Sequence, residues 1–292
     1  MADTMLSFND NSLSTDFLSM DDLRKACPAA FKTTPTNPGV SALYVHVNTA
    51  TVVNDLAKLG WQPVQAKQCR PKKNSKGIRS FHMIAFQNPE VKISKMVDNP
   101  DGSTTEIVDS YPRIILTNSH DGFNSFKFMV GLYRVVCSNG LVVCSDEMVN
   151  MSIRHINYDF EALRKVVASA IEQVPQITCT MNTMKNTTLT EENKKELATA
   201  VVKVRKEMDD NQQIELDEAT IMDILMPVRE EDKGDDLWTV FNVCQEKLIK
   251  GGFQATGKND KVRKQRKITS IKKDVEYNQR LWEIATRFMP AT

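Results

Sequence analysis

Residues 126–145 read FKFMVGLYRVVCSNGLVVCS, which is two apolar runs separated by Ser138, Asn139 and Gly140. Asn and Gly adopt positive φ angles readily, so this tripeptide predicts the tight turn of a β-hairpin. The apolar runs on both sides are typical of strands with at least one buried face. Because a short hairpin pairs its strands antiparallel, this stretch predicts an antiparallel sheet.

The periodicity of the flanking sequence predicts the remaining elements. Short apolar or alternating segments indicate strands at residues 62–69, 80–86, 111–118, 126–137, 141–145 and 149–155, after a helix at residues 48–59. After Tyr158, helical spacing predicts helices at residues 160–174, 191–208, 217–225, 235–250 and 268–289. We therefore expect an α+β protein, with a mainly antiparallel sheet in the N-terminal half followed by a helical C-terminal half.

Composition divides the chain into three parts. Residues 1–39 are acidic before Arg24 and then contain Pro28, Pro35 and Pro38, which predicts a flexible acidic arm and linker able to dock a protein partner. Residues 40–158 form the sheet-rich region. Residues 159–292 form the helical region, which we expect to pack with the sheet as one domain.

Overall composition excludes several classes of protein. An apolar content of 41% supports a core, and a net charge of +1 gives no overall attraction to nucleic acid or membrane. No apolar run reaches about eighteen residues, and the N-terminal residues lack a signal-peptide pattern. The six cysteines form no C-x-x-C pair, so we expect reduced thiols. These features predict a cytoplasmic protein without a membrane anchor.

The polar residues around the hairpin allow two interpretations. His120, Asp121, Arg134, Cys137 and Asn139 could form a catalytic cluster in which the histidine activates the thiol. The favoured alternative is structural: the glycines that follow Asp121 and Asn139 mark turns, and Arg134 pairs with Asp121 or caps backbone carbonyls. Whether the protein is an enzyme is left open, although a non-enzymatic role is favoured.

A metal site is disfavoured by residue spacing. His120, Cys137, Cys144 and His155 are conceivable ligands, but zinc sites normally contain ligand pairs about two to five residues apart. The four histidines form no such pair. We therefore predict no metal ion and no cofactor.

Two basic segments are the main candidates for ligand binding. Residues 70–79 carry five positive charges and no negative charge, and residues 258–273 carry eight basic residues and one acid. Such runs suit contacts with phosphates, although many charge runs are only solvated surface. The predicted nucleic-acid-binding residues are Arg70, Lys72, Lys73, Lys76, Arg79, Lys261, Arg263, Lys264, Arg266 and Lys267.

Two other features have simpler explanations. Residues 207–236 hold twelve acids, which predicts a solvated surface, with pairing to a basic segment as the alternative. Trp238 and Asn242 share one side of a predicted helix. Trp238 could stack on a base, but a core position is favoured.

The chain resembles a widespread family of phage and plasmid proteins of unassigned function. The resemblance covers residues 40–290 and rests on four elements: NSHDG at 118–122, RVVCSNGL at 134–141, Arg154-His155, and the spacing of Trp238, Asn242 and Glu246. The motif residues are His120, Asp121, Gly122, Arg134, Cys137, Asn139, Gly140, Trp238 and Asn242. Gly140 stands where the family more often has Thr, which fits a tighter turn.

The leading hypothesis is a phage-type, non-enzymatic protein that binds single-stranded nucleic acid in annealing or recombination. The order of strands and helices is loosely similar to that of phage single-strand annealing proteins, and this analogy implies a homo-oligomer. Such a protein would act in the bacterial host cytoplasm. The alternative is a virion-associated or anti-defence factor that uses the acidic N-terminal arm to bind another protein.

Overall fold

The computed structural model describes residues 17–41, 44–69, 79–134, 140–143, 159–208, 214, 216–256 and 261–290. The N-terminal half forms an antiparallel sheet in the order β1-β2-β4-β5-β6, with β3 paired to the outer half of β4. The strands are β1 Gln62–Gln68, β2 His82–Gln87, β3 Ile93–Asp98, β4 Thr104–Asn118, β5 Lys127–Arg134 and β6 Gly140–Val143. The predicted α+β class and antiparallel sheet are confirmed.

An antiparallel hairpin joins β5 and β6, as predicted, but Gly140 pairs with Tyr133 as the first residue of β6 and does not lie in the turn, so the predicted tight turn at residues 138–140 is wrong. The two strands pair antiparallel from Val130↔Val143 to Tyr133↔Gly140. The connecting residues 135–139 and the predicted strand at residues 149–155 lie outside the described residues. The strand β3 and the first half of β4 were not predicted, because their side chains are mostly exposed and show no clear alternation.

The C-terminal half is helical, as predicted. The helices are α1 Met20–Ala26, α2 Thr49–Lys58, α3 Phe160–Lys185, α4 Glu191–Met208, α5 Glu218–Leu225, α6 Leu237–Lys250 and α7 Ile271–Thr286, with 3₁₀ turns at Pro28–Phe31 and Glu230–Asp232. Asn48, Asp217 and Asp236 cap α2, α5 and α6. A small hairpin, which the sequence did not predict, links α6 to α7 through β7 Gln254–Thr256 and β8 Val262–Lys264.

Helix α3 is longer than expected. The sequence predicted its end before Pro175, since proline lacks the N–H group that the helix ladder requires. The helix continues to Lys185, and Ile177, Met181 and Met184 in its second half are buried. Burial of these apolar side chains offsets the missing hydrogen bond. Within the described part of the chain, no helix combines the length and apolar character needed to cross a bilayer.

The sheet is covered on both faces. On one face, Ile84, Ile114 and Leu116 are fully buried in a core that also contains side chains from the helices. On the other face, Met83, Ala85, Ile115 and Met129 contact Ile271 at the start of α7. The N-terminal end of α7 therefore packs against the sheet, although it lies far from the sheet in sequence.

The N-terminal boundary differs from the predicted arm. Ser19 forms a capping box with Asp22 at the start of α1, and Leu23 is fully buried. The backbone N–H of Leu18 donates to the carbonyl of Pro63 in β1 over 2.7 Å. Residues 18–39 thus belong to the folded unit and are not part of the flexible arm and linker that was predicted for residues 1–39. Residues 1–16 lie outside the described residues.

Arg134 does not pair with Asp121, so that prediction is wrong. Its Nη1 donates to Asp232 Oδ1 over 2.6 Å, and Arg229 Nη1 contacts the other carboxylate oxygen at 2.7 Å. Arg229 also binds Glu246 through both terminal nitrogens. The side chain of Asp232 is 2% exposed, so this acid from the 207–236 block is an internal ion-pair partner rather than a solvated residue. The network connects β5 to the helical half.

Replacing Asp232 by Ala should lower the free energy of unfolding by about 3–5 kcal/mol, because two partly buried guanidinium groups lose their shared carboxylate. Urea denaturation followed by circular dichroism measures this change. Glu230→Ala is the matched control, since the Glu230–Lys233 pair in the same turn is exposed and should contribute less than about 1 kcal/mol. Equal losses in the two variants would show that the Asp232 network does not stabilise the fold.

Candidate functional site

One end of the sheet gathers most of the polar residues singled out in the sequence. In the register of the sheet, Gln68 pairs with His82, and His82 pairs with Asn118. The last residue of β1, the first residue of β2 and the last residue of β4 are therefore neighbours. Lys127, the first residue of β5, pairs with Thr117 in the neighbouring row. The NSHDG segment begins at the last residue of β4 at this end, and the first basic segment connects β1 to β2 in the sequence.

A buried hydrogen-bond chain underlies the motif. His82 Nδ1 lies 2.7 Å from the carbonyl oxygen of Ser80, and its Nε2 lies 2.9 Å from Thr49 Oγ1. Burial lowers the pKa of His82 to about 4, so the ring is neutral at pH 7. Since a carbonyl only accepts, Nδ1 carries the proton and Nε2 accepts from the Thr49 hydroxyl. Asn118 Nδ2 donates in turn to Thr49 Oγ1 over 3.0 Å.

Three histidines meet at this chain, which the sequence did not predict. The ring centroid of His120 lies 4.4 Å from that of His46 and 5.3 Å from that of His82. The spacing of the histidines in the sequence gives no ligand pair. The one signal of their proximity is that β2 begins at His82 and β4 ends just before His120, so antiparallel pairing of these strands places the two rings close together. In the described ranges, no three His, Cys, Asp or Glu side chains are arranged to hold a metal ion.

Asp121 organises the loop that contains the motif. Its carboxylate accepts from the backbone N–H groups of Ser80 and Phe123, each over 3.0 Å. Asn37 Nδ2 donates to the Asp121 carbonyl over 3.1 Å. Gly122 has φ = 77°, and a side chain at this position would also approach Val40 to 3.0 Å. Glycine is thus required here, and the loop is held by hydrogen bonds to two other segments.

A cleft opens above this loop. Its volume is about 350 Å³, and its lining residues are Asn37, Gly39, Val40, Ser41, Tyr44, Asp121, Gly122 and Phe123. The Phe123 side chain is 70% exposed, whereas Asp121 is buried at the base of the loop. The hydroxyl of Tyr44 donates to the Ser119 carbonyl over 3.2 Å, and burial together with the charge of Asp121 raises its pKa.

The surroundings of Cys27, Cys69 and Cys244 do not favour a nucleophilic thiol. Burial raises the pKa of Cys27 and of Cys244 to about 12, and it raises the pKa of Cys69 as well. A raised pKa keeps these thiols protonated and therefore poorly nucleophilic. Cys137 and Asn139, which were part of the alternative catalytic cluster, lie outside the described residues, as do Cys144 and His155.

The second basic segment lies on the surface and comprises β8 and the residues that join it to α7. Lys261, Arg263, Lys264, Arg266 and Lys267 are all exposed. The buried side chain of Arg205, which is 1% exposed, holds the backbone of this segment in place. It donates to the carbonyl oxygens of Leu248 in α6 and of Arg266 in the segment. Of the first segment, Arg79 is described and exposed, whereas Arg70, Lys72, Lys73 and Lys76 lie outside the described residues.

The ends of the two basic segments are close together. Cys69, just before the first segment, packs in the same apolar cluster as Ile271, which begins α7. Lys67 Nζ contacts Asp274 Oδ2 at 3.1 Å. Helix α7 follows the second segment, so the end of β1 and the start of α7 bring segments about 190 residues apart to one region of the surface.

Trp238 and Asn242 lie away from this region. Trp238 is 2% exposed, stacks on Phe241 at a centroid distance of 5.9 Å and contacts Trp282 edge to face. Asn242 Nδ2 donates to the Trp238 carbonyl over 2.7 Å. The favoured interpretation of Trp238 as a core residue is confirmed.

Comparison with known proteins gives the family. The model described as "Domain of unknown function (DUF932)" matches residues 39–282. The chain belongs to this family. UPF0380 protein YafZ of Escherichia coli (strain K12) is 29% identical over 273 residues, covering 92% of this chain and 90% of the relative. UPF0380 protein YfjQ of the same organism is 27% identical, with the same coverage of both chains. No solved structure matches.

The motif residues of this DUF932 member divide into three groups. His120, Asp121 and Gly122 form or support the cleft. Arg134 lies at the Asp232 network, and Trp238 and Asn242 lie in the helical core. The described part of the signature is therefore distributed, and among its described residues only those of the first group lie at a cleft.

The buried neutral state of His82 predicts a pH dependence. The unfolded chain protonates this group near pH 6.5, whereas the folded chain does so near pH 4. The unfolded state therefore binds more protons in this window, and stability is lost as pH falls from 6.5 to 4, by about 3 kcal/mol for this group. Chemical denaturation of wild type and His82→Asn between pH 8 and 4 measures the difference in slope.

The His82→Asn variant should be less stable at pH 7 but should lose less stability on acidification. Carboxylates titrate in both proteins, so their contribution cancels in the comparison. Above about pH 7.5 the two curves should run parallel, because His82 is then neutral in both the folded and the unfolded state; this range is the internal control. Parallel curves down to pH 4 would show that His82 is not held neutral by burial.

Proposed function

We propose that this protein is a non-enzymatic nucleic-acid-binding protein that contacts the phosphates of a single strand. The observation that supports this best is the exposed cationic surface of residues 261–267. Helix α7, which follows this surface, contacts the end of the sheet at which the first basic segment begins and ends. Clustered Lys and Arg side chains supply affinity for phosphates that does not depend on sequence. Arg70, Lys72, Lys73 and Lys76 extend this surface as a prediction from sequence.

The distribution of acids supports the same proposal. Several acids of the 207–236 block pair with cations of the helices: Asp223 with Lys247, Glu218 with Lys195, Glu207 with Arg280, and Asp235 with Lys194. Among the described residues, no carboxylate pairs with the six exposed cations Arg79, Lys261, Arg263, Lys264, Arg266 and Lys267. The acids thus leave this surface available to an external polyanion.

The proposal extends to a cellular role. Strand annealing or recombination in a phage-type context requires a protein that holds single strands without reading their sequence. Cationic side chains on a folded surface meet this requirement. If the chain binds no nucleic acid, a protein-interaction role through its acidic N-terminal residues becomes the leading explanation.

Affinity for a single-stranded oligonucleotide should fall steeply with salt, with a log–log slope of roughly −0.7 for each phosphate neutralised. The double variant Arg263→Glu/Lys264→Glu should bind more weakly and flatten the slope by about 1.4, because two contacts are lost. Fluorescence anisotropy at several salt concentrations measures both quantities. The fold should be unaffected, since both side chains are exposed.

Lys95→Glu is the matched control for charge. Lys95 is exposed on β3, which pairs with the outer half of β4 at the opposite end of the sheet from Asn118. Its reversal should leave the slope unchanged. A slope that changes equally in both variants would indicate a general charge effect, and no binding by wild type at low salt would refute the proposed function.

A further inference from the structure

Exposed apolar side chains are concentrated at one place on the helical half. Of the eleven large apolar side chains that are exposed in the described chain, five lie on α5, next to it in the sequence, or on β8. They are Leu216, Met222, Met226, Val228 and Val262. Grouped apolar side chains with a polar border are typical of surfaces that bind another polypeptide, and methionines adapt well to such contacts.

A small cleft joins helix and strand into one surface. It has a volume of about 220 Å³, and both Ala219 of α5 and Val262 of β8 line it. Met222 and Met226 follow Ala219 at spacings of three and seven residues, so they lie on the same side of the helix. Ala219, Met222, Met226 and Val262 therefore form one apolar surface, which we call the α5–β8 patch.

Cations border this patch on β8. Lys261 and Arg263 flank Val262 in the chain, and all three side chains are exposed. Lys264 is also exposed and lies on the same face of the hairpin as Val262, because side chains two residues apart in a strand share a face. The patch thus combines apolar side chains with an edge of positive charge.

The acids of α5 are engaged elsewhere and do not neutralise this edge. Asp223 contacts Lys247 at 3.1 Å, and Glu218 contacts Lys195 at 2.8 Å. Asp217 caps the start of the helix. A second copy of the patch would bring like charges together, which opposes self-association through this surface. The charge instead favours a partner that carries both apolar side chains and carboxylates.

The chain itself contains a segment of this composition. Residues 1–16 read MADTMLSFNDNSLSTD and hold three Asp residues and neither Lys nor Arg. The apolar residues Met5, Leu6 and Phe8 stand between two of these acids. The segment is thus complementary to the α5–β8 patch in both charge and apolar character.

We propose that residues 1–16 dock on the α5–β8 patch of their own chain. Their apolar side chains contact the methionines of α5 and Val262, and their carboxylates lie near Arg263 and Lys264. This inference goes beyond the proposed function and does not rest on it. Because the same two cations are assigned there to a nucleic-acid strand, the docked segment competes with the strand for them.

The segment is long enough to reach the patch. The chain enters the fold at Leu18, whose N–H donates to the carbonyl of Pro63 in β1. Sixteen residues span up to about 50 Å when extended, close to the diameter of a compact chain whose radius of gyration is about 19 Å. A short tether gives an effective concentration in the millimolar range, so a contact with a dissociation constant of about 100 μM keeps the patch mostly occupied.

A photo-crosslinker in the full-length chain tests the docking. Phe8 is replaced by p-benzoylphenylalanine, which keeps an aromatic ring at this position, and crosslinked peptides are identified by mass spectrometry after irradiation. Crosslinks should join position 8 to residues 216–228 and 252–264 of the same chain, at the mass of a monomer. Their yield should fall when salt is raised to about 1 M, because the contacts between carboxylates and cations are then screened.

Two double variants of the labelled chain test the two parts of the surface. Met222→Asp/Val262→Asp should lower the crosslinking yield about fivefold or more, because two apolar contacts are lost. Arg263→Glu/Lys264→Glu should lower it through repulsion of the carboxylates. Met96→Asp is the matched control, since Met96 is equally apolar and 65% exposed but lies on β3 in the sheet. Thermal melting followed by circular dichroism verifies the fold of each variant.

The outcomes decide the docking independently of nucleic-acid binding. Crosslinks to the two patch peptides that are lost in both double variants and kept in Met96→Asp support it. Crosslinks only to other parts of the chain, crosslinks that join two chains, or a yield that Met222→Asp/Val262→Asp leaves intact would overturn it. A chain that binds no oligonucleotide at low salt refutes the proposed function and leaves these crosslinks unchanged.

Discussion

The burial of β4 on both faces is the constraint on which the rest of the structure depends. Ile114 and Leu116 point into the main core, while Ile115 between them points to the opposite face. A strand with two buried faces requires a layer on each side of the sheet. Helices of the main core supply one layer, and the start of α7 supplies part of the other. The chain must therefore return to the sheet after about 150 residues, and this return brings the start of α7, which follows the second basic segment, beside the end of β1.

Elements with one clear periodicity were predictable from sequence. Helix α4 matches its predicted range of 191–208, and Asn48 correctly marks the start of α2. The strand β3 was missed because Met96 is 65% exposed, and Ile107 opposite it in β4 is 44% exposed. A two-stranded extension with both faces in solvent has no buried pattern to detect. Helix α1 was missed because its short sequence is dominated by polar residues around one buried leucine.

The candidate site was predictable in composition but not in geometry. The sequence identified His120 and Asp121, yet the partner of Arg134 lies 98 residues away in a 3₁₀ turn. Local spacing carries no information about such a contact. The buried chain from Asn118 through Thr49 to His82 was missed for the same reason, since its members come from α2, β2 and β4. Only the register of the sheet brings them together.

Net charge conceals how the charges are arranged. The whole chain carries +1, which argues against an affinity for polyanions. The acids of residues 207–236, however, neutralise cations of α4, α6 and α7, and Asp232 is buried against two arginines. These acids are neutralised by the cations in contact with them, and at moderate salt the field of a charge falls off within about 10 Å. The surface at residues 261–267 therefore keeps its positive potential, and it is this local potential that an approaching strand encounters.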